Sequence, residues 1–476
     1  MNSEQKEKLY QFVRDQIAQG SFRTHAYVFN DQGEKNPQRS MFLRMQKYVH
    51  DFMNGDASVR WLVMPGLRGS GKTTLLAQLY HDTNVPAERK LFLLVDQITQ
   101  TFGTTLAGIL QTYEEAVGGS FERLEEPVFL FLDEVQYDHK WAGFLKTVYD
   151  RTRKVFIVAT GSSALMLNIN ADVARRAVSE KLYPMSFTEF MKIKHGKYEE
   201  KGLGKQLRSA LLDSKSAKEA HDQLVACEPM VRKYWLNVAR EETTHYINYG
   251  TLPYMVALKN EALVYDQIKK SLERVVSVDI PQIGKFRPDI ASKFPMLLYA
   301  IADSEQLSLN NLSRVMEIGR PTLIHMLTVL EQTETVMRVY PHGSHRSQVR
   351  KPSKYLFISP AFRAMYFKFV GSTQRKEIYE GKLLEDVVGL YLGRLCKQRS
   401  VSLTYDSAAG GADFIVRDDN ELIAIEVGRG QKGFAQVMRT AKKVKAKYGL
   451  VISASELSLD TKQSAVSVPL EFFLLA

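Results

Sequence analysis

The sequence predicts a multidomain α/β chain whose first large domain is a doubly wound parallel sheet. Two observations predict that sheet. Short apolar runs alternate with helical stretches between Arg60 and Leu182, and a glycine-rich turn joins the first run to a helix. Uninterrupted apolar runs are the pattern of strands buried on both faces and joined by crossover helices. Size sets the third bound: 476 residues, 45% hydrophobic and 25% charged, exceed one compact core, and about three domains are expected.

Taken in order, residues 1–59 form a helical lead-in with a polar loop near Asp31 to Asn36. Strands are predicted at 61–64, 91–95, 128–132 and 155–159, with a short fifth around Leu182, inside a core domain of residues 60–190. After Pro184-Met185-Ser186-Phe187 the pattern turns to long Lys-, Glu- and Ala-rich helices, a helical lid over 191–290. Residues 291–370 then combine helices with a two-stranded ribbon. Leu323, Ile324, Leu327 and Leu330 recur at helical spacing after Gly319-Arg320-Pro321, and strands at 335–340 and 355–358 flank a polar loop. That order predicts a winged helix-turn-helix. The segment 374–476 reads as a small α/β domain. It has a helix near 383–395, strands at 412–416, 422–427, 450–452 and 470–474, and a basic helix over 433–448.

Composition narrows the function classes. Cys227 and Cys396 are far apart, with no further thiol or histidine at metal-ligand spacing, which argues against a disulfide framework or a zinc site. The first residues lack an apolar leader core, and no stretch stays uncharged long enough for a membrane span, so a cytoplasmic protein is expected. The net charge of +11 favours an anionic partner, although a solvated lysine-rich surface is an equal reading of charge alone.

The chemistry concentrates in the glycine turn. Gly66-Leu67-Arg68-Gly69-Ser70-Gly71-Lys72-Thr73 follows a predicted strand, and a helix begins at Thr74, the context of a P-loop. Its glycines let backbone N–H groups converge on phosphate, Lys72 reaches the β- and γ-oxygens of ATP, and the Thr73 hydroxyl binds Mg2+. Asp133 and Glu134 end the apolar run Val128-Phe129-Leu130-Phe131-Leu132, a Walker B arrangement. Asp133 is expected in the magnesium shell, and Glu134 as the group that orients and deprotonates the attacking water. Thr160, at the end of the next run, is either a sensor of the γ-phosphate or an ordinary cap. Arg175 and Arg176 either stabilise transition-state charge, in cis or across the contact of a homo-oligomer, or form a solvated pair.

Together, Gly-Leu-Arg-Gly-Ser-Gly-Lys-Thr-Thr-Leu-Leu, Leu-Asp-Glu-Val-Gln, Thr-Gly-Ser-Ser-Ala and Leu-Tyr-Pro-Met-Ser-Phe-Thr-Glu-Phe resemble, in order, the prokaryotic AAA-type ATPases of archaea and bacteria. Tyr249-Gly250-Thr251-Leu252-Pro253 and Lys351-Pro352-Ser353-Lys354-Tyr355 look like that family's later regions, so the resemblance spans roughly residue 40 to the end. It implies an AAA+ core, with Arg176 where the family carries its arginine. It also implies a C-terminal PD-(D/E)XK restriction-endonuclease-like domain, in which Glu385, Asp413 and Glu426 match three metal-binding carboxylates. The usual Glu-x-Lys reads Glu426-Val427-Gly428, so the lysine is missing, and Arg429 or Lys432 are the nearest replacements. An active nuclease and a degenerate domain both stay open.

Two basic patches point to double-stranded DNA. His345, Arg346, Arg350, Lys351 and Lys354 gather on the expected wing, with Arg314 and Arg320 flanking the turn before the recognition helix. Arg439, Lys442, Lys443, Lys445 and Lys447 lie along the C-terminal helix. Such residues contact phosphate more readily than they read bases. Two functions are therefore expected from different classes: an ATPase whose nucleotide state repositions DNA-binding domains, and a nucleotide-controlled protein-binding switch with no DNA role.

Overall fold

The computed structural model describes residues 3–162, 171–304, 307–370, 376–430, 433–454, 456–462 and 464–476. The chain divides into two compact units, Met1–Tyr183 and Pro184–Ala476.

In the first unit, β1 (Trp61–Pro65), β2 (Lys90–Leu94), β3 (Val128–Asp133), β4 (Val155–Gly161) and β5 (Val178–Ser179) form a parallel sheet in the order β2-β3-β4-β1-β5. Successive residues of each strand supply opposite faces. Trp61, Val63, Leu130, Leu132, Ile157 and Ala159 face one core, whereas Leu62, Met64, Phe129, Phe131, Phe156 and Val158 face the other. The lead-in residues cover both faces. Leu9, Val13 and Ile17 of α1 (Ser3–Val28) join the first core, and Phe42, Met45, Val49 and Phe52 of α2 (Ser40–Met53) join the second. The fifth strand corrects the sequence reading, because it lies at Val178–Ser179 and Leu182 makes only a single bridge to Gly66. Pro184 follows closely and has no N–H with which to extend the ladder.

In the second unit, β6 (Val336–Pro341), β7 (Lys354–Phe357), β8 (Ser402–Tyr405), β9 (Phe414–Asp418), β10 (Glu421–Val427), β11 (Tyr448–Ser453), β12 (Ser458–Asp460) and β13 (Ala465–Pro469) share a mixed sheet. Its order is β12-β13-β11-β10-β9-β8-β6-β7. The hairpin β6–β7 is antiparallel, and β6 pairs in parallel with β8 through Tyr340 and Pro341, so hairpin and C-terminal strands are one hydrogen-bonded surface. Helices Phe294–Asp303, Leu309–Val315 and Arg320–Gln332 precede the hairpin.

The helices Leu203–Leu212 and Ala217–Trp235, expected in a lid, share one hydrophobic core with the C-terminal strands. Buried hydroxyls tie that core together: Tyr391 accepts from the Phe187 amide at 2.7 Å and donates to the Leu474 carbonyl at 3.1 Å, and Tyr448 donates to the Leu211 carbonyl at 3.0 Å. Two local readings are corrected. Residues Leu470–Leu474 are a short helix, and the last strand is β13 just before it. A short apolar run carries no usable period, and Pro469, which caps this helix, ends the strand. The loop between β6 and β7 also folds into a helix, His345–Arg350.

Candidate functional site

The C-terminal ends of β1, β3 and β4 bring the glycine turn, the acidic pair and Thr160 to one edge of the parallel sheet. Open α/β sheets bind ligands at that edge. The turn passes through Gly69 and Gly71 at φ +80° and +93°, a backbone region that side chains disfavour. At Gly66 the constraint is space, since a Cβ would stand 2.5 Å from the Leu182 carbonyl. α3 (Lys72–Asp82) starts directly after the turn, so its unpaired N–H groups and positive dipole end face the turn. Buried Arg39 donates to the Ser70 carbonyl at 2.8 Å and holds the turn from outside it.

Lys72 is 5% exposed, and its ammonium donates to the carbonyls of Gly66 at 3.0 Å and Leu67 at 3.2 Å. The Thr73 hydroxyl donates to Asp133 Oδ2 at 2.6 Å, and the Thr160 hydroxyl donates to Asp133 Oδ1. Asp133 is thus held from two sides, by the start of α3 and by the end of β4. Burial raises its pKa to about 6, and nearby Glu134 adds to the rise, while Thr160, Thr73 and Lys72 oppose it. Glu134 leaves the strand at φ +54° and accepts a hydrogen bond from Gln136. The Ser70 hydroxyl is buried and has no hydrogen-bond partner among the described residues.

These features fit a magnesium nucleotide. The turn leaves room beside backbone N–H groups where side chains would intrude, and a hydroxyl and a carboxylate already converge where the metal would be held. Leu67 is buried, whereas Arg68 and Thr74 are half-buried beside the turn. Ser163, in the motif after Thr160, lies outside the described residues.

Arg176 is elsewhere. Its guanidinium donates to both oxygens of Asp150, at 2.8 and 3.1 Å, and to the Asp172 carbonyl at 2.8 Å. Asp150 lies in the last turn of the helix Trp141–Arg151, shortly before β4 begins, so Arg176 sits toward the opposite edge of the sheet from the glycine turn. Arg175 pairs with Asp172 at the surface.

The second unit holds a cleft of about 670 Å³ whose lining includes Glu385, Asp413, Glu426 and Lys354. Lys354, on β7, donates to Glu385 and, at 3.2 Å, to Asp413 Oδ1. Asp413 Oδ2 accepts from the Val427 amide at 2.9 Å, which fixes the carboxylate to β10. Burial raises Glu385 to about 8, Lys354 opposes the rise and Asp413 adds to it. Burial alone would depress Lys354, but Glu385 and Asp413 outweigh it and hold the ammonium protonated. Sequence reasoning counted Lys354 among the exposed wing cations; the signal against that was a lysine opening the apolar strand Lys354-Tyr355-Leu356-Phe357, all four residues of which are buried. Of the replacements considered for the missing lysine, Arg429 pairs with Glu380, and Lys432 lies outside the described residues.

The other basic residues divide. His345, Arg346, Arg350 and Lys351 are exposed between the hairpin strands, and Arg314 and Arg320 are exposed on the helices before the hairpin. On the helix Ala435–Val444 and just after it, Arg439, Lys442, Lys443 and Lys445 are exposed; Lys443 pairs with Asp406, and half-buried Lys447 pairs with Glu421. No helix among the described residues is long and apolar enough to cross a membrane.

A glycine turn closing onto a helix, with its threonine bonded to the carboxylate that ends a buried strand, is the arrangement of a P-loop nucleotide site. Residues 58–191 match the family model of an AAA domain, and residues 240–371 match a domain of unknown function, DUF8612. The chain belongs to the family of the uncharacterized protein MJ1637 of Methanocaldococcus jannaschii, to which it is 34% identical over 420 residues, covering 87% of this chain and 84% of that one. An uncharacterized protein of Haemophilus influenzae is 29% identical over 142 residues, 28% of this chain and 33% of its own length. Among solved structures, the Aeropyrum pernix ORC1 protein in complex with DNA matches at TM-score 0.31 and 12% identity, over 70% of this chain and 94% of that one. The Thermotoga maritima RuvB Holliday junction branch migration motor matches at TM-score 0.30 and 14% identity, over 64% and 90%.

Thr160 can be tested apart from the rest of the site. Thr160→Val keeps the shape and removes the hydrogen bond to Asp133. Loss of a bond that orients a metal ligand typically costs 10- to 100-fold in metal affinity. The expected result is a rise of about 10-fold in the Mg2+ concentration giving half-maximal ATP turnover; an unchanged Mg2+ dependence would make Thr160 a packing residue.

Proposed function

We propose that this ATPase binds ATP with Mg2+ at the glycine turn and couples its hydrolysis to work on duplex DNA through the second unit. In this reading Lys72 and the turn N–H groups hold the phosphates, and Thr73 and Asp133 hold the metal, which would neutralise charge developing on the transferred phosphoryl group. Glu134 orients and deprotonates the attacking water. Because Arg176 is bonded to Asp150 away from the turn, it is assigned to a neighbouring copy's site in a homo-oligomer.

The observation that carries the DNA assignment is the set of exposed cations on two elements of one unit: the helix His345–Arg350 with Lys351, and the helix Ala435–Val444. Their exposure and spread support contact with a phosphate backbone, and the recognition-position helix Arg320–Gln332 presents Ile324 and His325, with no arginine row to read bases. Exposed Ile324 and Val315 favour a second reading, in which these helices dock another protein.

A gel-shift series over salt separates the two. Binding through six to ten phosphate contacts falls by about 10³- to 10⁵-fold between 50 and 200 mM salt. Steep salt dependence that flattens in an Arg346→Ala, Arg350→Ala, Lys351→Ala triple variant is the expected result. Absence of any complex at low salt would leave the protein-docking switch. Stimulation of ATP turnover by duplex DNA would tie the two units to one function.

A further inference from the structure

The family resemblance implies metal-binding carboxylates at Glu385, Asp413 and Glu426, in either an active nuclease or a degenerate domain. Among the described residues, however, no three His, Cys, Asp or Glu side chains converge closely enough to hold one. A lysine from outside the C-terminal segment takes that place. Lys354 arrives on β7, the second strand of the hairpin, and its ammonium bonds both Glu385 on the helix Lys376–Arg399 and Asp413 ahead of β9. Its side chain is 7% exposed, while those of Glu385 and Asp413 keep 14% and 21% exposure along the cleft.

We propose that Lys354 is the resident cation of this acidic cleft, bonded to two of the carboxylates for which the resemblance implied a metal, and that it makes the cleft a structural junction. Charge explains why a single lysine serves. Burial and Asp413 both push Glu385 towards its neutral form, and an ammonium between the two carboxylates opposes that push with the compensation a metal would otherwise give. Location explains what the junction does. One residue further along the helix, Asp386 receives Arg363 from the helix Pro360–Val370 and the Phe357 amide from the end of β7. Two adjacent carboxylates on one helix therefore grip the end of the hairpin and the helix that follows it, while β6 pairs with β8. Hairpin and C-terminal strands move as one body, and DNA held at the hairpin loop would be carried with the whole sheet.

The experiment uses the full chain without nucleotide and compares Mn2+ binding, by electron paramagnetic resonance, between the natural sequence and the Glu385→Gln/Asp413→Asn double variant. The same amount of bound Mn2+ in both is expected. An additional Mn2+ site in the natural protein, lost in the double variant, would overturn the proposal and restore the metal reading. Binding of Mn2+ near Asp133 is common to both samples and cancels in the difference.

A thermal-unfolding cycle gives the second measurement. Lys354→Met leaves buried carboxylates uncompensated and is expected to lower the midpoint of this unit's transition by roughly 10 °C. Adding Glu385→Gln to that variant should recover part of the loss, because the orphaned charge is removed. Additive losses, or an unchanged midpoint in Lys354→Met, would also overturn the proposal. Neither readout depends on DNA binding or ATP turnover, so its failure is distinguishable from failure of the proposed function.

Discussion

Lys72→Ala is expected to reduce ATP turnover by at least about 10²-fold and to weaken nucleotide binding, because it removes the ammonium buried inside the glycine turn. The same ammonium bonds the Gly66 and Leu67 carbonyls, so the substitution also leaves the turn without an internal tie. Glu134→Gln separates binding from chemistry: it keeps the side-chain shape and removes the proposed base, and should bind ATP as tightly as the natural protein while turnover falls by a similar factor. Phosphate release and fluorescent-nucleotide titration read the two quantities. Turnover within about two-fold of the natural protein in Lys72→Ala would show that the glycine turn does not hold the phosphates of a hydrolysed ATP.

The second large effect lies in the other unit. Arg363 is 2% exposed and Asp386 is fully buried; Nε meets Oδ2 at 2.5 Å and Nη2 meets Oδ1 at 2.9 Å. Nη1 further donates to the Ala302 carbonyl at 2.6 Å, so the guanidinium links the helix Phe294–Asp303 to the helix Lys376–Arg399. Asp386→Ala strands that cation and leaves the Phe357 amide unpaired, a loss of about 3–5 kcal/mol. The pair itself is worth less than that. Burial opposes both charges, and replacing both residues with apolar groups of similar volume should cost much less than replacing either alone. Unfolding by urea, read on the second unit's transition, tests both statements; single and double variants of equal stability would show that the pair is not closed to water.

Legibility differed by element for physical reasons. The glycine turn with Lys72 and Thr73 is one contiguous stretch and Asp133-Glu134 is another, and each is set by local backbone geometry, so the spacing within each announces it. The inner strands were equally legible because burial on both faces demands unbroken apolar runs. The run at 470–474 reads as a strand in sequence, since four apolar residues around Glu471 fit a short helix as well as a strand, and only packing against the sheet decides. The helices α1 and α2 carry no motif, and their part in covering the two faces of the sheet is a long-range fact.

Lys354 shows the boundary most sharply. Its sequence neighbours are Lys351, Pro352 and Ser353, and by charge alone it belongs with the exposed cations of the hairpin. Its partners are 31 and 59 residues away, and the pairing of β6 with β8 is what brings the hairpin to them.

By itself, the sequence determined the class of this protein, because a P-loop is a local conformation that its own glycines, lysine and threonine impose. Tertiary structure alone decided what those motifs meet: that Thr160 shares Asp133 with Thr73, that Arg176 turns to Asp150, and that a lysine stands among the C-terminal carboxylates. The physical reason is range. Backbone conformation is set by a few neighbouring residues, whereas the charge a buried group must find can arrive from any strand that the sheet order places beside it.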